Sequence, residues 1–540
     1  MYNTYVVSYD NIIMFSEQMP KKTETEKKFL TELEERFAEA KPVKNVADKL
    51  SDAGFEPYLV GGCLRDLLLG KTPKDWDLTT GATPEEILKV FPDSVYENNF
   101  GTVAVKTDAE DPKMKIVEVT TFRKEGKYTD KRHPDEITFA KTVEEDLSRR
   151  DFTVNAMAYL VSSGRRRAVG LVDPFDGRKD LENKILRAVG EPTERFQEDA
   201  LRLMRAVRFS AKLGFKVEKT TAEAVKKEAG LLEFIAKERV ADELDKTLMC
   251  EKAADGIRNM QELGLLHHVL PELEEGLEME QNKHHIYTVL EHNLHSLEFA
   301  AQENFSLELR LASLLHDVGK PRTRAWKDDP RGEKELKGKK GDWTFYQHQF
   351  VGEKIVLQTL GRLKYPKKTI EKIALLVREH MFVYDPDVVT EKGVRRLVHR
   401  VGTDNIDDLL LVRQADRIGS GVKKAEPYRL RHLRAMIEKA KQAPISAKMI
   451  NIRGNEVIEI TGIDPRSSQA PKIGKIISIL LEEVIDDPEK NDNKLLKERA
   501  KELSKLSDKK LDALADKAKK EVQEAQDRID KEIMGKYFVE

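Results

Sequence analysis

The stretch Tyr58-Leu-Val-Gly-Gly-Cys-Leu-Arg-Asp-Leu-Leu-Leu-Gly-Lys-Thr-Pro-Lys-Asp-Trp-Asp77 constrains this chain more than any other. A short apolar run, Tyr58 to Val60, meets Gly61 and Gly62. A helical pattern from Cys63 to Leu69 follows, then two acidic residues on either side of Trp76. Glycine at the end of a strand lets the backbone approach a phosphate, and the free N–H groups of the next helix face an anion. Side chains alternate along a strand, so Asp75 and Asp77, read as opening a strand to Thr80, share one face. Two carboxylates on one face are hard oxygen ligands for Mg²⁺. The pattern points to transfer of a nucleotide. Asp-x-Asp alone also describes a solvated turn; the glycines and Arg65-Asp66 at short range give it chemical meaning.

With 540 residues the chain holds several domains. Charged residues make up 35% of it, yet the net charge is −2, which excludes a polybasic nucleic-acid binder. Basic surface is therefore local, and eleven arginines fall between Arg149 and Arg208. Such a run is either a solvated face or the lining of a phosphate cleft. Two cysteines, Cys63 and Cys250, give no disulfide framework and no thiolate zinc site, which fits the cytoplasm. No apolar run approaches the ~20 residues that span a bilayer, so no membrane association is expected. Tyr5 to Phe15 is too polar for a signal peptide. It reads as an arm, or as sequence upstream of a start at Met14 or Met19.

Lys21 to Ala53 reads as helix, stopped by Gly54. Thr83-Pro84 opens a second helix, and Thr102 to Lys106 and Lys115 to Phe122 have the β-branched look of strands. Thr121 to Pro134 is polar and reads as a mobile loop. Leu181 to Leu273 and His284 to Gly419 read as helical blocks joined through Glu274 to Lys283, with Lys320 to Asp342 a charged loop. Arg453 to Lys475 reads as a turn-rich connection. Leu495 to Tyr537 reads as one long helix with a narrow buried stripe.

Three segments, the glycine–aspartate head, Arg149-Arg-Asp-Phe-Thr-Val-Asn-Ala-Met-Ala158 and Glu198-Asp-Ala-Leu-Arg-Leu-Met-Arg-Ala-Val-Arg-Phe209, resemble the class II tRNA nucleotidyltransferase and bacterial poly(A) polymerase family. The resemblance covers roughly Pro42 to Gly474 and implies an α+β chain: a polymerase-β-like head, an all-α neck, an HD domain and a helical tail. The boundaries expected are an extension over 1–40, a head over 41–170, a neck over 171–280, an HD domain over 281–425 and a tail over 426–540.

By that resemblance Asp75 and Asp77 hold two Mg²⁺ ions, with Glu118 a possible third carboxylate; an outward-facing strand residue is the alternative for Glu118. Gly61, Gly62 and Arg65 lie against the triphosphate, and Arg150, Asp151 and Asn155 meet ribose and phosphates. Glu198, Asp199 and Arg202 sit three or four apart and are neighbours on a helix; an ordinary surface ion pair is the plainer explanation. An Asp beside an Arg presents one acceptor edge and one donor edge. Cytosine and adenine both match that pattern, while uracil and guanine reverse it and leave buried polar groups unpaired, at about 1–3 kcal/mol each. The resemblance gives Asp199 and Arg202 this reading role, with Glu198 bracing Arg202, and Arg205 and Arg208 completing the motif. It also implies that the loop from Thr121 is needed to add the final A.

His292, His316-Asp317, His348, His380 and Asp416 form a second set. Imidazole with carboxylate suits Mn, Fe, Ni, Co or Zn. Leu311-Ala-Ser-Leu-Leu-His-Asp-Val-Gly-Lys320 resembles the HD phosphohydrolase superfamily. That implies His292, His316, Asp317 and Asp416 as core ligands and His348 and His380 as those of a second metal, with His285 an alternative and Lys320 near the phosphate. The implied activity is addition of CCA to the 3′ end of tRNA from CTP and ATP, with possible metal-dependent phosphohydrolysis. The alternatives are A-only addition, poly(A) addition, or an HD phosphohydrolase whose head only binds RNA. The sequence leaves the oligomeric state open.

Overall fold

The computed structural model describes residues 24–96, 101–125, 137–161, 170–281, 286–328, 335–336, 339–441 and 449–539. They form two compact units. One holds the described residues up to Glu274 with Arg362–Tyr365; the other holds Glu275–Gly361 and the described residues from Pro366 onward.

The first unit is built on strands β1 Tyr58–Val60, β2 Asp77–Thr80, β3 Val95–Tyr96, β4 Thr102–Lys106, β5 Ile116–Thr121, β6 Arg123–Glu125, β7 Ile137–Phe139, β8 Ala158–Leu160 and β9 Leu171–Val172. Seven of them form a mixed sheet in the order β3-β4-β5-β2-β1-β8-β9, and β6 pairs separately with β7. Only β2 and β5 run parallel within the larger sheet, with Asp77 opposite Glu118. Its alternating apolar positions, Leu59, Leu78, Val103, Val117 and Val119, are buried. Each such side chain contributes about 1.5–3 kcal/mol relative to exposure.

Helices α1 Glu24–Ala38 and α2 Lys41–Asp52 replace the single expected helix; Pro42 sits in the first turn of α2, where its missing N–H costs nothing. Helix α3, Gly61–Leu68, begins at the glycines rather than after them. Helix α4, Pro84–Val90, carries the expected start, with Thr83 and Glu86 in a reciprocal capping box. Helices α5 Val143–Ser148, α6 Gly177–Glu182, α7 Pro192–Glu198 and α8 Leu201–Leu213 lead into the helical region. That region is interrupted by a two-stranded parallel pairing of Ile185–Leu186 with Lys216–Val217.

The second unit is mostly helical, but the expected charged loop after Lys320 contains a three-stranded sheet, Ala325–Asp328, Glu335–Leu336 and Lys339–Thr344. Trp326 and Trp343 face each other in its register and pack edge to face at 5.1 Å, a cross-strand pair that offsets the local charge. The expected turn-rich segment includes helix Gly454–Thr461, closed by Gly462 at φ +66°. The expected long helix is two, Asn493–Ser504 and Asp508–Lys536. Among the described residues no helix is long and apolar enough to cross a membrane.

Candidate functional site

Gly61 adopts φ +66°, which side-chain-bearing residues rarely tolerate, and a Cβ there would lie 3.0 Å from Arg150 Nη1 and 3.6 Å from Asp77 Oδ2. The absent side chain is thus what allows Asp77 and Arg150 to approach the helix start. Asp77 opens β2, but Asp75 lies in the bend before it, so the two are not alternate residues of one strand as expected. Pro73 and buried Trp76 anchor that bend. Burial raises the Asp77 carboxyl, Arg150 draws it down, and the nearby charge of Asp75 raises it again. Glu118 is adjacent to Asp77 through the parallel register and exposed. Among the described residues neither Asp75, Asp77 nor Glu118 belongs to a group of three ligands within 4.8 Å. Among the described residues the neighbouring arginines pair with other acids, Arg65 with Asp66 and Arg150 with Asp146, and carboxylate oxygens such as those of Asp75 and Asp77 are the donors that Mg²⁺ favours. Cys63, just beneath, has its thiol pushed up to about 12 by burial and donates to Val60 O at 3.1 Å; it packs rather than reacts.

A chain of polar contacts runs from Asp66 into α8. Buried Arg65 donates to Asp66 Oδ1 at 2.6 Å and to Asn155 Oδ1 at 2.6 Å. Asn155 donates to Asp151 Oδ1 at 3.2 Å, and Arg205 Nε donates to Asp151 Oδ2 at 2.7 Å. Burial pushes the Asp151 carboxyl up, but Arg205, with Asn155 and Arg202, leaves it below the usual range. Arg208 turns elsewhere, to Glu243 at 2.6 Å and over the Phe209 ring at 4.2 Å. Arg178 pairs with exposed Glu182, as a solvated arginine face would, whereas Arg187 pairs with buried Asp180.

Glu198, Asp199 and Arg202 do not share one helix. Helix α7 ends at Glu198 and α8 begins at Leu201. Asp199 is extended, and its Oδ1 accepts from Leu201 N at 3.1 Å, a local bond that competes with helix continuation. Glu198 still reaches Arg202 Nη1 at 2.7 Å, and Arg202 Nη2 donates to Arg149 O at 3.0 Å. Asp199 lies 3.9 Å from Arg239.

Sequence reading missed Asp146. It is fully buried, accepts from Arg149 Nη2 at 2.7 Å and Arg150 Nη2 at 3.1 Å, and thereby holds both arginines. Burial raises its carboxyl, yet the two arginines leave it below the usual range. The signal was present: an acid three and four residues before an Arg-Arg pair, at helical spacing.

The second unit brings together all six of its expected ligands. His292, His316 and Asp416 form one group, and Asp317, His348 and His380 another, each within 4.8 Å and buried. Asp317 also approaches the first group: Oδ2 lies 3.1 Å from His292 Nε2, while Oδ1 lies 3.1 Å from His348 Nε2. Nδ1 of His316, His348 and His380 lies 2.8, 2.8 and 2.6 Å from the carbonyls of Ser313, Phe345 and Val377. A proton on Nδ1 in each leaves the inward Nε2 as a ligand lone pair. Burial raises the Asp317 carboxyl, but Lys320, 2.5 Å away, and His316 hold it well below the usual range. Lys320 also donates to Gln281 at 2.6 Å. Gly319 packs where a Cβ would strike His348 O at 2.1 Å, so this turn requires glycine. His285, and residues 126–134 of the expected mobile loop, lie outside the described residues.

Residues 57–187 match the Poly A polymerase head domain, 214–277 the Probable RNA and SrmB- binding site of polymerase A, and 289–420 the HD domain. The chain therefore belongs among α+β proteins that join a polymerase-β-like head to a helical neck and an HD domain. Relatives that it matches include CCA-adding enzymes. That of Lactococcus lactis subsp. cremoris (strain MG1363) is 45% identical over 232 residues, 42% of this chain and 54% of the relative. That of Limosilactobacillus fermentum is 43% identical over 240 residues, 44% and 57% of the two chains. The chain thus spans just over half the length of these relatives. The crystal structure of the Bacillus stearothermophilus CCA-adding enzyme in complex with CTP is similar over 86% of this chain and 96% of that one, with TM-score 0.53 and 26% identity.

Proposed function

We propose that this protein adds CCA to the 3′ end of tRNA from CTP and ATP without a nucleic-acid template. The observation that carries the reading is Arg202, buried and held by Glu198 and the Arg149 carbonyl beside Asp199. A fixed donor edge next to an acceptor serves cytosine and adenine and penalises uracil and guanine. Asp75 and Asp77, with Glu118 adjacent, would hold Mg²⁺, which supplies activation of the 3′ hydroxyl and neutralises the leaving pyrophosphate. Arg150, held on Asp146, positions the triphosphate across Gly61. Gly62 leaves room for the same phosphates, while Arg65, Asn155, Asp151 and Arg205 form a preorganised polar wall toward the ribose. Arg208, turned to Glu243, supports this wall through Phe209 rather than by touching nucleotide. The similar CCA-adding enzymes support this reading over A-only or poly(A) addition.

On the same reading His292, His316, Asp317, Asp416, His348 and His380 would hold divalent transition metal, from among Mn, Fe, Ni, Co and Zn, which would supply a phosphohydrolase role. The convergent histidine nitrogens support it. The cytoplasm is the expected compartment. Incubation with tRNAs ending before CCA, after C and after CC, each with CTP, ATP or both, tests the main claim. Extension stopping at CCA is expected; A-only products or long A tails would replace it with one of the alternatives.

A further inference from the structure

A cavity of about 460 Å³ opens onto the HD ligands Asp317, His348, His380 and Asp416. A second, of about 250 Å³, lies beside it and is walled by Phe382, Tyr384, Pro427 and Leu430. Arg413 and Arg417 line both. They are one turn apart on helix Ile406–Gly419, which also supplies Asp416. Like charges at this spacing repel. Arg413 is compensated by Asp416, 2.6 Å from its Nη1. Arg417 forms no ion pair among the described residues, and its buried Nε has no hydrogen-bond partner. A half-buried cation beside another cation is costly unless an anion joins them.

We propose that the second cavity is a nucleotide subsite, so that the HD centre takes an RNA end of at least two nucleotides rather than a mononucleotide. This rests on the metal-centre reading above. The terminal phosphate would face the Asp317 centre. The next phosphodiester would meet Arg417 and Arg413, whose forked donors match phosphate oxygens. The base of that nucleotide would lie against Phe382 and Tyr384. Arg413 already lies 5.7 Å from the Phe382 ring, and Tyr384 is fixed by His432 Nδ1 at 2.5 Å. Aromatic stacking of this kind tolerates any base.

The test uses the full-length protein freed of metal with EDTA and titrated calorimetrically with the 3′-phosphorylated dinucleotide ApAp and with 3′-AMP. Arg417→Ala is expected to weaken ApAp about tenfold, the scale of one charge-assisted hydrogen bond, and to leave 3′-AMP unchanged. Arg417→Lys should recover most of the loss, and Phe382→Ala should weaken ApAp independently. ApAp affinity untouched by both Arg417→Ala and Phe382→Ala, or equal losses for the two ligands, would overturn the proposal. Metal uptake by the wild-type protein is measured in parallel. Failure to bind metal would overturn the metal centre, whereas the dinucleotide comparison, made without metal, stands or falls by itself.

Discussion

The carboxylates of the head and the ligand cluster of the HD unit are built in opposite ways. In the head, Asp75 is exposed on a bend, Asp77 is half-buried, and Glu118 is exposed on the neighbouring strand. In the HD unit six ligands are buried and already converge, with three imidazoles near backbone carbonyls. On the proposed reading, the first arrangement offers few oxygen ligands and leaves coordination positions to substrate phosphates, as Mg²⁺ sites commonly do. The second has a preformed ligand set for a resident ion. On the proposed reading, then, one metal arrives with its nucleotide and the other belongs to the fold.

The largest effect expected of this contrast is in the head. Asp77→Asn should lower incorporation of CTP and ATP by about a thousandfold, since a metal's charge stabilisation is worth several kcal/mol, while tRNA still binds. Retained incorporation in a radiolabel assay would remove Asp77 from the metal site. Next, His316→Ala should weaken metal retention by more than about a hundredfold, because even the partners behind a ligand are worth 10–100-fold. Elemental analysis after dialysis reads this, and nucleotide addition should persist; loss of both would mean the centres are not independent. Arg202→Ala should relax discrimination against UTP by about 10- to 100-fold, equivalent to the 1–3 kcal/mol of an unpaired buried group. Unchanged rejection of UTP would break the base-reading role.

The smallest effect concerns stability. Asp146 has a depressed pKa, so its contribution is present above the ordinary carboxylate value of 3.8 and fades as pH falls through the lower folded value. Thermal unfolding of Asp146→Asn should show a lower Tm at pH 6 and a gap from wild type that narrows toward pH 3. A constant gap would assign Asp146 a packing role alone.

The glycine turn and the Thr83-Pro84 helix start were legible in the sequence because local rules produce them, φ freedom and capping; the convergence of the four histidines and two aspartates of the second unit was expected through the family resemblance rather than from local spacing. What escaped depended on competition or on partners distant in sequence. Asp199 was read within a helix because its bond to Leu201 N, which ends that helix, looks the same in sequence as a helical pair. Asp75 was read on a strand because periodicity cannot see that pairing with β1 and β5 starts only at Leu78 and Asp77. The sheet after Lys320 was masked by charge, and Trp326 opposite Trp343 is visible only once the register is known. Asp146 was overlooked because a buried acid and a surface acid carry the same letter.

Asp146 grips Arg149 and Arg150 from one short helix, α5. Arg150 points at the phosphate end of the proposed site, by Gly61, while the backbone of Arg149 holds Arg202 at the base end. On the proposed reading, two adjacent residues would work like the fixed jaws of a gauge. A nucleotide would be measured along its length as well as by its base edge. A cytidine analogue with a lengthened sugar–phosphate link should be refused even though its hydrogen-bonding face is correct.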